Sequence, residues 1–138
     1  MAGNSNNLPK RDEIDAKYKW KLEDIYDSVD KWEEDFKQVK QLAAEIGKYK
    51  GTLGESGMKL LGCLKLYCDL LSLNDKVFVY ARMKRDEDNV NPVYQALTDR
   101  AMALSSEVYA AVSFIVPEII SIPEDVLDIF MDGNNELK

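Results

Sequence analysis

The residues that look most like a chemical site form an acidic cluster, Asp86-Glu-Asp-Asn-Val-Asn91. Carboxylate and amide oxygens at this density are the ligands that calcium prefers. A calcium loop of the EF-hand type needs oxygen ligands at its positions 1, 3 and 5, a glycine at 6 and a glutamate at 12. Counted from Asp86, positions 5, 6 and 12 hold Val90, Asn91 and Leu97, so the pattern fails. The cluster is therefore predicted to be a solvated loop.

Histidine is absent from all 138 residues. It is the commonest general base near neutral pH and the commonest zinc ligand. Its absence excludes Ser-His-Asp and Cys-His catalysis and the His-Glu-x-x-His zinc motif within this sequence. Adjacent acids such as Asp12-Glu13 and Glu33-Glu34-Asp35 could in principle do acid–base work, but they lie on predicted polar faces. No catalytic residue and no metal ligand is therefore predicted in this chain.

The two cysteines, Cys63 and Cys68, lie five residues apart on a predicted helix. This spacing places them about 140° apart around the helix axis, with Cα atoms beyond ~7 Å, so they cannot form a disulfide with each other. Buried free thiols are favoured over a redox or metal role. Free thiols fit a reducing compartment, and no secretory signal is visible in the first seven residues. A cytoplasmic location is expected.

Charge and composition limit the partners. The net charge of −7, from 18 basic and 25 acidic residues, argues against binding to nucleic acid or to an anionic membrane surface. The most apolar stretch, from Val108 to Ile122, is interrupted by Ser113, Pro117 and Glu118. It falls short of the ~20 apolar residues that span a bilayer. With 46% apolar and 31% charged residues, the chain is expected to form one soluble globular domain.

Apolar periodicity predicts helices at about 28–47, 56–85, 91–116 and 121–132. The first follows the stripe from Trp32 to Ile46 and begins at an Asp27-Ser28 cap. In the second, Asn74-Asp75 interrupts the apolar face and is expected to mark a kink or an exposed turn. The third begins at Asn91-Pro92, since asparagine is a favoured N-cap and proline a favoured first helical residue. The fourth is predicted to begin with a capping box at Ser121-Ile-Pro-Glu124.

The elbow at residues 86–91 makes the second and third helices antiparallel neighbours. The third helix has apolar residues at strict spacings of three and four, which would also suit a coiled-coil dimer, but an internal hairpin is favoured because the elbow supplies a partner in the same chain. The predicted fold is all-α, a helical bundle built on a long antiparallel helical hairpin. Residues 1–7 are expected to be a disordered leader and residues 28–138 the helical domain.

Residues 8–27 are predicted to form an extended segment that packs on the helices. Tyr18, Trp20 and Leu22 alternate with charged residues, which is the period-2 pattern of an extended chain with one face buried. No second strand is available to pair with this segment. The alternation of aromatic residues with lysines could also suit nucleic acid, but the net acidity favours a packing strip.

Several short blocks of this sequence form a characteristic series. Around the elbow, Tyr80-Ala-Arg-Met-Lys-x-Asp-Glu-Asp-Asn is followed by Tyr94-Gln-Ala-Leu-x-Asp-Arg-Ala101. Earlier blocks include Leu8-Pro-Lys-Arg11, Tyr18-Lys-Trp20, Leu22-Glu-Asp-Ile-Tyr26 with Trp32 and Phe36, and Tyr49-Lys-Gly51 with Leu53-Gly54; later ones are Ser113-Phe-Ile115, Pro117-Glu-Ile119 and Ile122-Pro123. In this order, across residues 8–130, the series resembles the N-terminal region of oligoendopeptidase F, a family of zinc oligopeptidases of the thimet-oligopeptidase-like clan.

The resemblance implies a zinc metalloendopeptidase that acts on short peptides bound in a deep cleft. In that family a His-Glu-x-x-His helix and a further glutamate hold the zinc, hundreds of residues downstream of this region. None of those residues can be carried over to this sequence, which ends at Lys138 without a histidine. The resemblance therefore implies a non-catalytic N-terminal domain that is inactive alone and helps to wall the substrate cleft. Its substrate-facing residues stay unassigned.

The expected partners are the catalytic domain of the parent chain and, in the intact enzyme, an oligopeptide. Self-association through exposed apolar surface is also expected, because a domain cut from its parent exposes the face that it normally covers. The alternative is a self-standing helical module that uses the same hairpin to bind another protein. Such a module would have a polar surface apart from one groove.

Overall fold

A computed structural model describes residue 9 and residues 11–138. The expected disordered leader, residues 1–7, lies outside the described residues. The chain forms five α-helices: α1 (Val29–Ile46), α2 (Gly57–Glu87), α3 (Pro92–Val112), α4 (Ile115–Ser121) and α5 (Glu124–Gly133). Short 3₁₀ turns occur before α1, after α1 and after α5. No strand is found in the described part of the chain, so the all-α prediction is confirmed.

Helices α2 and α3 form the predicted antiparallel hairpin. The apolar side of α3 is buried against α2 and α1 through Leu97, Ala101, Leu104 and Val108. Polar side chains on this side bond across the hairpin: Thr98 Oγ1 donates to the Ala81 carbonyl at 2.9 Å. The third helix therefore finds its partner within the chain, as the hairpin prediction required.

Helix α1 lies across both arms of the hairpin and closes the core. Its cap is the predicted one, since the Ser28 side chain accepts a hydrogen bond from the Lys31 backbone N–H. Trp32 is fully buried, and its indole Nε1 donates to the Val77 carbonyl of α2 at 2.9 Å. A buried indole N–H needs such a partner, so this bond fixes the register of α1 on α2.

Asn74 contradicts its predicted role as a kink or an exposed turn. Its side chain is only 2% exposed, and α2 continues unbroken through it from Gly57 to Glu87. The Ser105 hydroxyl of α3 donates to Asn74 Oδ1 at 3.1 Å, which satisfies part of its hydrogen-bonding capacity inside the hairpin. A buried amide is tolerated when it has such a partner. Asn74 therefore interrupts the apolar stripe because it makes a polar contact within the core.

The N-terminal segment is not the extended strip that its alternation predicted. It is a series of 3₁₀ turns at Arg11–Glu13, Ala16–Tyr18 and Leu22–Asp24. Because such a turn has three residues per turn, alternate side chains do not share a face. Leu22 is buried at 2% exposure, whereas Tyr18 and Trp20 are 75% and 54% exposed. The segment nevertheless packs on the helices through Leu22 and Tyr26.

The C-terminal helices also differ from prediction. α3 ends at Val112, and a short separate helix, α4, begins at Ile115 with Pro117 in its first turn. Proline has no N–H to donate to the Ser113 carbonyl, which favours a break before it. The capping box does not form, since the Ser121 hydroxyl donates to the Glu118 carbonyl and α5 begins after Pro123. The missing backbone donor of Pro123 and its extended conformation favour a start at Glu124 instead.

Helix α5 packs on the start of α2 at a glycine. A Cβ at Gly57 would lie 3.2 Å from the Phe130 Cα and 2.6 Å from the Asn134 amide nitrogen. Only glycine lets the two backbones come this close. This close packing explains why α2 begins with a glycine.

The stretch Pro92–Ser121 is long and apolar enough, by length and composition alone, to cross a membrane. The prediction that the most apolar stretch is too short to span a bilayer is therefore wrong by this criterion. A core helix of a soluble protein passes the same criterion, and one side of α3 is buried in the hairpin. The rest of its apolar surface is exposed, a point that bears on its partner below.

Candidate functional site

The elbow of the hairpin is a capped turn. The Asn91 side chain accepts a hydrogen bond from the Val93 N–H at 3.0 Å, which confirms it as the N-cap of α3. Asp88 Oδ1 accepts one from the Val90 N–H at 3.3 Å, and Gln95 Nε2 donates to the Asn89 carbonyl at 2.6 Å. The Asn91 and Asp88 side-chain oxygens thus accept from backbone N–H groups of the turn, which explains why asparagine and aspartate are concentrated here.

The remaining acids of the elbow are paired with cations. Glu87 forms ion pairs with Arg11 of the N-terminal segment and with Lys84 on its own helix, and its side chain is only 9% exposed. Asp86 pairs with Arg82 at 3.4 Å. The elbow therefore fixes the N-terminal segment to the end of α2.

The residues of this chain do not fit a zinc site. Zinc in proteins is held mainly by histidine and cysteine with carboxylates, and the sequence has no histidine. Among residue 9 and residues 11–138, no group of three or more cysteine, aspartate or glutamate side chains comes together as a metal site would require.

The acids at Glu33–Asp35 serve contacts within the bundle. Arg100 of α3 donates to both carboxylate oxygens of Glu33, at 2.5 and 2.8 Å. These bonds lower the pKa of Glu33 below its ordinary value. The same guanidinium lies over the rings of Trp32 and Phe36, 5.1 and 4.6 Å from their centroids. Glu33 is therefore part of a clamp between α1 and α3.

A second polar cluster lies beside a cavity of about 310 Å³ between the N-terminal segment, α1 and α2. Tyr26 donates to Asp35 Oδ2 at 2.7 Å, and Lys76 pairs with the same oxygen at 3.1 Å. Burial and the bond to Asp35 raise the pKa of Tyr26. The Tyr26 hydroxyl and the Lys76 ammonium both contact the Asp35 carboxylate, so the cluster joins the N-terminal segment, α1 and α2. None of these three groups is left poised as an acid or a nucleophile.

The two cysteines have different environments, which corrects the expectation that both are buried. Cys63 is fully buried in the core, whereas Cys68 is exposed on α2. Burial, and secondarily the negative charge of Glu118, raises the pKa of the Cys63 thiol to about 11. Both are free thiols. Cys63 is thus an inert core residue, and Cys68 is the accessible thiol.

A row of exposed apolar side chains was missed from the sequence. Met102 and Tyr109 on α3, with Val116 and Ile120 on α4, are 50–78% exposed. We call these four residues the α3–α4 stripe. Their sequence signal was a seven-residue spacing, but the stronger apolar spacing of the buried side of α3 concealed it.

Comparison with known proteins shows which proteins contain a similar sequence. No protein-family model matches the chain. Oligopeptidase PepF of Bacillus subtilis (strain 168) is 38% identical over 134 residues, which cover 97% of this chain and 20% of PepF. Group B oligopeptidase PepB of Streptococcus agalactiae is 30% identical over 121 residues, covering 88% and 20% of the two chains. The chain therefore spans about a fifth of the length of these relatives.

A solved structure agrees with the sequence comparison. The crystal structure of oligoendopeptidase-F from Enterococcus faecium matches 80% of this chain with a TM-score of 0.73 and 29% identity, over 22% of its own length. The helical hairpin and its packing thus form one section of much longer proteins, which belong to the class of oligopeptidases. Within that class, the chain matches the N-terminal region of oligoendopeptidase F, as the resemblance indicated.

Proposed function

We propose that this chain is the non-catalytic N-terminal helical domain of an oligoendopeptidase F-like zinc metalloendopeptidase. The zinc and the catalytic residues belong to the parent polypeptide beyond these residues, and the chain does not hydrolyse peptides alone. One observation carries the proposal: oligopeptidase PepF of B. subtilis matches 97% of this chain but is about five times as long. The missing histidine is consistent with it, because the zinc motif of the family cannot be built here.

The role proposed for the domain is to form part of the wall of the substrate cleft and to limit the size of the peptides that enter. The shape of the hairpin supports this role. At 1.5 Å per residue, the 31 residues of α2 extend about 45 Å, and α1 and α3 brace much of this length. A braced helix of this length is a rigid surface, as a cleft wall must be. The proposed location is the cytoplasm, where free Cys63 and Cys68 stay reduced.

The purified chain tests the catalytic part of this proposal. It is expected to contain no stoichiometric zinc after incubation with the metal and to leave a quenched fluorescent oligopeptide intact. Zinc content is measured by mass spectrometry and cleavage by fluorescence, with B. subtilis PepF as the positive control. Stoichiometric zinc together with cleavage that a chelator abolishes would contradict the proposal.

A further inference from the structure

The α3–α4 stripe is continuous along two helices. Met102, Tyr109 and Val116 are spaced seven residues apart, which rotates each by only ~20° from the last around a helix axis. Ile120 follows four residues later, on the same face. The backbone stays helical across the junction, since Ser113 and Phe114 both have right-handed helical dihedral angles. The four side chains therefore form one strip along a single flank.

The strip is also uncharged. From Met102 to Ile120 the charged residues are Glu107 and Glu118. Glu118 is two residues from both Val116 and Ile120, about 160° around the helix from each, and it accepts a hydrogen bond from the Gly51 N–H at 2.5 Å. Glu107 is two residues from Tyr109, which places it about 160° away around the helix, on the opposite side. Other exposed apolar side chains in the described part of the chain include Met58 and Val90, and Tyr18 and Trp20 line one pocket beside the end of α2. Single exposed apolar residues are ordinary on a protein surface, whereas a contiguous strip indicates an interaction site.

The strip does not take part in the core of the isolated bundle. The side of α3 that packs in the core carries Leu97, Ala101, Leu104 and Val108, each at most 5% exposed. The strip lies on a neighbouring flank and faces away from this core. Its seven-residue spacing keeps it on one face of the helix, and the small, uncharged Ser106 and Ser113 lie between its members, so another helix can pack along it. The strip is thus a second helix-packing surface on the same helix, and it has no partner within the described residues.

We propose that the α3–α4 stripe is the surface on which the remaining polypeptide of a full-length oligoendopeptidase F-like enzyme docks, through an apolar helix laid along α3 and α4. This inference rests on the proposed function. The size of the relatives argues for this occupant, because about four-fifths of each relative's length lies outside the part that this chain matches. A covalently attached partner is present at high effective concentration, so it occupies such a strip ahead of a second copy of the chain.

A cysteine-labelling experiment tests whether the strip is covered. The chain is used alone and within a chimera, in which it replaces the matching N-terminal region of B. subtilis PepF. The exposed Cys68 is changed to serine, and Met102→Cys or Tyr109→Cys is introduced. Labelling by a maleimide is expected to be fast in the isolated chain and at least about tenfold slower in the chimera, since an interface core excludes solvent.

The chain offers a matched control on the same helix. Ala103 and Ala110 are exposed, are seven residues apart and each follow a stripe residue, but they lie on another flank of α3. Ala103→Cys and Ala110→Cys are expected to label fast in both proteins. Peptide cleavage by the chimera is measured in parallel. An active chimera that labels fast at Met102→Cys and Tyr109→Cys would overturn the docking surface and leave the proposed function intact.

Other labelling results would show that a different molecule covers the strip. Slow, concentration-dependent labelling of the isolated chain would assign the strip to a second copy. Protection of the isolated chain by phosphatidylcholine vesicles, without protection in the chimera, would assign it to a membrane. Either result overturns the proposal. If the chimera does not fold, cysteines at the aligned positions of intact PepF take its place: slow labelling there supports the docking surface, and fast labelling contradicts it.

Discussion

Replacing Trp32 with alanine is expected to lower the free energy of unfolding by about 4 kcal/mol, because loss of a large buried aromatic side chain leaves a cavity. Trp32 is fully buried, packs on Phe36 at 5.1 Å between ring centroids and donates to the Val77 carbonyl. Its removal also breaks the indole hydrogen bond to that carbonyl, which adds to the cost. Urea denaturation followed by circular dichroism measures the change.

Two variants serve as controls for Trp32→Ala. Trp32→Phe keeps most of the ring but removes the indole donor, so it is expected to cost only part of the loss, about 1–2 kcal/mol. Trp20 is the other tryptophan of the chain and is 54% exposed, so Trp20→Ala is expected to change stability by less than about 0.5 kcal/mol. Equal effects at Trp20 and Trp32 would contradict the placement of α1 on the hairpin.

The second large effect is expected for Leu104→Ala, which should cost about 3 kcal/mol. Leu104 is 1% exposed and lies in the buried side of α3, where it packs in the core shared with α1 and α2. Met102, two residues earlier, is 50% exposed, and Met102→Ala is expected to cost less than about 0.5 kcal/mol in the isolated chain. A loss at Met102 as large as that at Leu104 would show that the α3–α4 stripe is buried in the isolated chain, contrary to the structure.

The hairpin was predictable from sequence because its signals are local. Asn91-Pro92 both starts α3 and stops α2, and Ser28 caps α1 by its side chain, so caps and periodicity agree with the fold. The N-terminal segment was not, because its alternation of aromatic and charged residues indicated an extended chain, whereas the segment forms 3₁₀ turns. Only the tertiary contacts of Leu22 and Tyr26 decide which side chains are buried.

Asn74 and Cys68 show a second limit of the sequence. A polar residue in an apolar stripe indicates exposure unless a distant residue satisfies it, and the partner of Asn74 is Ser105, 31 residues away. Cys68 was expected to be buried because cysteine usually is, yet it lies on the exposed side of α2. Such contacts between helices depend on the register of the hairpin, which helical periodicity alone does not determine.

The sequence bears on function in two ways: it lacks histidine, and it contains blocks that resemble those of one family. The absence of histidine is a property of composition, and the ordered blocks from residue 8 to residue 130 indicated the family that the comparisons then supported. The α3–α4 stripe could not be recognised as exposed from the sequence. Its spacing was visible, but only the packing of α3 on α2 shows that Leu104 faces the core and Met102 does not.

Peptide cleavage by the chimera of this chain with B. subtilis PepF tests the central claim most directly. If the chain is the N-terminal domain of an oligoendopeptidase F-like enzyme, the chimera should cleave an oligopeptide with kcat/KM within about tenfold of PepF, a difference of ~1.4 kcal/mol in transition-state stabilisation. PepF with an unrelated helical bundle in the same place should be inactive. A folded, zinc-loaded chimera without cleavage would contradict the account.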